Sequence, residues 1–115
     1  MPNFSIQKEK FPTGVVCLTI TGFLDAHTSG QFEKALNELF TNNVYRILVD
    51  LSKLEYISSA GASVFIGALG PVQENNGGIV LVNPTETVKE TFDLIGISQM
   101  YELKTTRDEA LKVFK

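Results

Sequence analysis

The residues able to do chemistry are few, and their most unusual grouping is Ile57-Ser58-Ser59-Ala60-Gly61-Ala62. This stretch follows what reads as a buried strand and a short connection, and it leads straight into an apolar helix. Two hydroxyls at a helix start have an ordinary use: a serine at the cap accepts a hydrogen bond from a free backbone amide and contributes about 1 kcal/mol. Capping accounts for one serine. It does not require Ala60, Gly61, Ala62 and Ser63 to be small as well, whereas close approach by another backbone or by a partner's surface would. On residue types alone, capping and partner docking both remain open readings of this corner, taken as exposed.

Catalytic chemistry finds little support elsewhere. His27 is the sole histidine, and it lies beside an expected helix start, where a solvent-facing or capping role is the plain reading. A triad built from Ser59, His27 and Asp25 or Asp50 has its residue types, but no G-x-S-x-G elbow surrounds any serine. Neither G-x-x-x-x-G-K-[ST] nor G-x-G-x-x-G occurs, and Gly77-Gly78 reads as a helix terminator. Cys17 is the only cysteine, which rules out an internal disulfide and a cysteine-rich zinc site. Among Val15, Val16, Leu18 and Ile20 it reads as a buried, inert thiol. No catalytic residue, metal ligand or cofactor is assigned.

Composition narrows the partners. The chain has 115 residues, 43% of them apolar, and a formal net charge of −3, enough for one domain with one compact core, expected to span residues 1–115. Its Lys and Arg residues are scattered rather than gathered into a stripe that tracks phosphates, so nucleic acid is not an expected partner. No apolar run approaches the roughly 20 residues that cross a bilayer, and MPNFSIQKEK lacks the apolar centre of a secretory signal. No membrane insertion and a cytoplasmic location are therefore expected.

The elements that must position the Ser58-Ser59 corner follow from periodicity. Phe4 to Lys8 reads as a short strand, Gly14 as a turn, and residues 15 to 21 as a second strand forming a hairpin with the first. Thr28 or Ser29 is placed to cap a helix carrying Phe32, Ala35, Leu36, Leu39 and Phe40. YRILVDL at 45 to 51 is a nearly unbroken apolar run, as a central strand covered on both sides requires. SKLEY reads as a connection, and Ser59 to about Asn75 as a helix with a kink near Gly67 to Pro71. IVLV at 79 to 82 is a further buried strand. Pro84 and Thr85 open a helix that Gly96 stops. MYELKT is a last strand, and Arg107 to Lys115 a terminal helix docked through Leu111 and Phe114. The order β-β-α-β-α-β-α-β-α implies an α/β sandwich: a mixed, mostly parallel central sheet of about five strands with about four helices.

Two segments in this order resemble the STAS domain family, the sulfate transporter and anti-sigma factor antagonist family. Gly22-Phe23-Leu24-Asp25-Ala26-His27-Thr28 is similar to its G-x-[LI]-D-x-x-T passage. Asp50-Leu51-Ser52 through Tyr56-Ile57-Ser58-Ser59-Ala60-Gly61 is similar to its D-L-S-x-[LV]-x-[YF]-[IM]-D-S-[STA]-G signature. Phe92-Asp93-Leu94-Ile95-Gly96-Ile97 also resembles the family's F-[DE]-[LI]-[ST]-G-[LI] helix end. The resemblance covers essentially the whole chain and implies a STAS-type sandwich. It implies an anti-sigma factor antagonist that binds a GHKL-type anti-sigma factor serine kinase and frees a sigma factor. Phosphorylation at Ser59, with Ser58 as the alternative acceptor, would switch that binding off, and a PP2C-type phosphatase would restore it. Asp25, Thr28, Ser58, Ala60, Gly61 and Ala62 fall at partner-binding positions. Ser58 stands where sigma-regulating members commonly carry aspartate. That departure fits an alternative, a STAS adaptor subunit of a lipid-transport or stress-signalling complex that is not phosphorylated.

Overall fold

The computed structural model describes residues 3–114. Strand β1 (Ser5–Lys10) and strand β2 (Val16–Leu24) precede helix α1 (Ser29–Thr41), then come β3 (Arg46–Asp50) and β4 (Leu54–Ile57). Helix α2 (Ser59–Glu74), strand β5 (Gly78–Val82) and helices α3 (Glu86–Ile95) and α4 (Ile97–Met100) follow. Strand β6 (Glu102–Lys104) and helix α5 (Arg107–Lys112) complete the described chain. The main sheet has the order β1-β2-β3-β5-β6, with β4 beside β2 off that path. Only β1 runs antiparallel to its neighbour, and the later pairs are parallel.

The near-continuous apolar runs of β2, β3 and β5 are explained by cover on both sheet faces. Val16, Leu18 and Ile20 of β2, Ile47 and Val49 of β3, and Ile79 and Leu81 of β5 join one core with the buried sides of α1, α2 and α3. The alternate residues Cys17, Leu48, Val80 and Val82 face the other way, under Ala110 of α5. Leu111 and Phe114 pack against this second cluster, as the terminal amphipathic pattern predicts. Burial pushes the Cys17 thiol up from its ordinary value, which keeps it protonated and unreactive.

The fold departs from the sequence reading in two elements. Leu54–Ile57 is a strand rather than part of a connection: the Leu54 amide donates to the Leu51 carbonyl at 3.1 Å, and the tight turn delivers β4 alongside the end of β2. There Phe23 lies opposite Tyr56 and Leu24 opposite Ile57, after a register shift between Gly22 and Phe23. The second addition is α4, because Gly96 at φ 83° both caps α3 and starts the next turn. That left-handed backbone suits glycine. Helix α2 runs without interruption from Ser59 through Pro71 to Glu74.

Helix α2 is fixed at its middle. The Phe65 ring lies 5.0 Å from that of Phe32 and 5.5 Å from that of Phe92, separations typical of favourable tilted aromatic pairs. The Tyr101 hydroxyl donates to the Phe65 carbonyl, and burial pushes its pKa up to about 12.

Candidate functional site

The two motif loops meet at the top of β2 and β4. The Ser58 amide donates to the Leu24 carbonyl at 2.9 Å, so the start of α2 is bonded to the residue before Asp25. Ser58 has extended backbone, and its Oγ accepts from the Gly61 amide at 3.3 Å, which makes it the helix cap. Its carbonyl accepts from the Ala62 amide at 2.9 Å. Ser58 is thus held through its amide, carbonyl and hydroxyl, and is half-buried. Ser59 is exposed. It opens the first turn, which contains no acidic residue.

The small residues after Ser59 divide into two groups. Ala60 is half-buried and Ser63 exposed, while Gly61 and Ala62 are buried. The expectation that all four are uncovered is therefore corrected for Gly61 and Ala62. A Cβ on Gly61 would stand 2.5 Å from the Leu24 carbonyl oxygen and 2.8 Å from Leu24 Cγ. Glycine at 61 is required by the passage of α2 against the end of β2, an internal reason that needs no partner. The surface open to a visiting protein comprises Ser59, Ser63 and the rims of Ser58 and Ala60.

The Asp25 turn is self-contained. Thr28 occupies the cap position of α1 but makes no side-chain cap bond. Its hydroxyl instead accepts from the Asp25 amide at 2.9 Å and donates to the Phe23 carbonyl at 2.8 Å. One Asp25 carboxylate oxygen accepts from the His27 amide at 2.9 Å, and the His27 side chain is exposed. Thr28 and Asp25 therefore shape the loop that flanks α2. The expectation of a threonine cap is corrected by this backward-facing bond.

Asp50 has a different task. Its Oδ1 accepts from the Ser52 amide and hydroxyl at 3.0 and 2.7 Å, and its Oδ2 accepts from Arg107 Nε at 3.0 Å. Burial alone would raise its carboxyl, but the bonds from Ser52 and Arg107 outweigh it and hold the group below the ordinary carboxylate value. Arg107 also reaches Thr19 and Glu9, both at 2.9 Å, and so joins α5 to β1, β2 and β3.

Two exposed apolar features were not assigned from sequence, and the first lies beside the corner. The Phe23 and Tyr56 rings pair at 5.6 Å, on strand residues just before the Asp25 and Ser58 turns. Leu94 and Ile66 are exposed on α3 and α2, Leu94 to 86%. Period-based reading missed the aromatic pair because β4 was not recognised as a strand opposite β2. No group of three or more His, Cys, Asp or Glu among the described residues is arranged to hold a metal ion. No helix among them is long and apolar enough to cross a membrane.

The architecture and the paired loops define the class: residues 7–110 match the STAS domain, and the chain belongs to that family. Its relatives narrow the likeness. It is 25% identical to the anti-sigma-B factor antagonist of Listeria monocytogenes, covering 93% of this chain and 94% of that protein. It is 26% identical to the anti-sigma-F factor antagonist RsfB of Mycobacterium tuberculosis, over 85% and 80% of the two chains. In structure it matches an anti-sigma factor antagonist from Mycobacterium paratuberculosis with a TM-score of 0.86, at 21% identity over 96% and 93% of the chains. Unphosphorylated SpoIIAA matches with a TM-score of 0.75, at 21% identity over 96% and 97%.

Proposed function

We propose that this chain is an anti-sigma factor antagonist that docks the Ser59 corner onto a GHKL-type anti-sigma factor serine kinase, freeing a sigma factor, and is switched off by phosphorylation of Ser59. One observation carries the reading: Ser59 is exposed at the head of α2, and no hydrogen bond from its side chain to the described residues competes for the hydroxyl. Ser58, the alternative acceptor, is half-buried and engaged as the cap, so modification there would disturb the cap bond at a cost of about 1 kcal/mol. The names of the relatives support the antagonist role, and the exposed Phe23–Tyr56 pair supplies apolar contact area beside this corner.

The switch acts at the interface. A phosphate brings a charge of about −1.5 to −2, and a helix start favours an anion by about 0.3 to 1 kcal/mol, so the domain tolerates it. Moving the complex from 99:1 bound to 1:99 requires about 5.5 kcal/mol. Burying an unpaired dianion against a close-packed partner supplies a penalty of that order. A PP2C-type phosphatase would reset the switch, and the cycle would run in the cytoplasm.

The test is to incubate the protein with ATP and the GHKL kinases of its organism, then map phosphate by mass spectrometry. Label is expected on Ser59 and absent from a Ser59→Ala variant. Absence from both Ser58 and Ser59 removes the proposal and leaves the unphosphorylated adaptor.

A further inference from the structure

The pole of the molecule opposite Ser59 holds a cleft of about 440 Å³. It lies where α2 ends and where β3, β5 and β6 begin, with the end of α5 closing one side. This size is within the range of small-molecule sites, which are mostly apolar with a few placed polar groups. Leu69 of α2, Met100 of α4 and Phe114 are its accessible apolar residues, with Val72 and Ile79 buried behind them and Gln73 and Asn76 adding polar groups. The hydroxyl of Tyr101, another lining residue, is already committed to the Phe65 carbonyl.

The wall is joined by one cation without an acidic partner among the described residues. Arg46 is exposed at the first position of β3, and its partner across the ladder is Gly78, which has no side chain to engage it. The other charged lining residue, Glu102, already faces Lys104 at 3.7 Å. A cleft of mixed lining whose rim guanidinium meets no acidic side chain among the described residues is complementary to an amphiphile bearing a carboxylate, because the planar fork receives both oxygens.

We propose that this cleft binds a soluble, single-chain carboxylate, with the hydrocarbon along Leu69 and Met100 and the carboxylate on Arg46. The net charge of −3 disfavours an anionic bilayer as the source of the chain, so the occupant is a free molecule and not a membrane lipid. The site is independent of Ser59 phosphorylation and leaves the opposite pole uncovered.

The experiment is titration of the full chain with decanoate below its micelle concentration, followed by calorimetry and amide NMR. Saturable binding is expected, with shifts grouped at Arg46, Leu69 to Val80 and Met100 to Glu102. Arg46→Gln is expected to weaken it about tenfold or more, and Met100→Trp, which fills the mouth, to abolish it. Unchanged thermal unfolding of both variants would show that the fold is intact. Equal affinity for decyltrimethylammonium, shifts centred on Phe23 or Leu94, no binding, or capture by phosphatidylglycerol vesicles would each overturn the proposal.

Discussion

Ser58 and Ser59 are adjacent and chemically identical, yet the backbone gives them different work, and substitution separates the two roles. Ser58→Ala removes the acceptor for the Gly61 amide and is expected to lower stability by about 1 kcal/mol in urea unfolding. Ser59→Ala removes no hydrogen bond to the described residues and should change stability by less than about 0.5 kcal/mol. If Ser59→Ala were the more destabilising, its hydroxyl would have an internal partner and the assignment of roles would be reversed. Gly61 gives a sharper case. Gly61→Ala puts a methyl group within 2.5 Å of the Leu24 carbonyl oxygen. Forcing α2 off β2 is expected to cost about 1–3 kcal/mol, read by the same unfolding measurement. The sequence shows that this corner is built from small residues, but not which of them face outward. Leu24 presses on Gly61 from a distant point in the chain, and only the pairing of β4 with β2 brings them together.

At the scale of elements, periodicity exposes those whose burial is regular and hides those whose burial is not. Strands β2, β3 and β5 bury both faces and read directly as apolar runs. Strand β4 has buried ends and two exposed middle residues, an i, i+3 spacing that matches a helical turn rather than the alternation of a strand. Helix α4 is a four-residue turn after a glycine that by itself signals a stop. The terminal helix was legible through its apolar side, but its anchor was not, since Arg107 meets Asp50, Thr19 and Glu9 across the whole length of the chain. Arg107→Gln is expected to cost about 1–3 kcal/mol, because the buried Asp50 charge then loses a donor. The folded-state carboxyl of Asp50 lies below its unfolded value. Its contribution is therefore complete above the ordinary carboxylate pKa and disappears as pH falls through the lowered one. Comparing urea unfolding of the native chain and Asp50→Asn from pH 7 down to about pH 3 should show their gap narrowing with acid. A gap that widens would contradict the pairing.

At the scale of the whole molecule, the proposed switch requires the fold to carry a new charge at the head of α2 without rearranging. SpoIIAA has been solved in both its unphosphorylated and phosphorylated forms, and this chain matches each with a TM-score of 0.75, so one architecture serves both states of that protein. The same economy is expected here for local reasons. The first turn of α2 contains no acidic residue, and its free amides favour an anion. The middle of the helix is pinned by Phe32, Phe92 and Tyr101. The phosphorylated chain should unfold within about 1 kcal/mol of the unmodified one, while its affinity for the kinase partner falls by about four orders of magnitude. Ser59→Glu, with a smaller charge, should show the same division in weaker form. Differential scanning calorimetry beside a binding titration measures both quantities on one sample. A large loss of stability with the modification would mean that the domain itself is the switch, and that release of the partner follows from unfolding rather than from a charge placed at the interface.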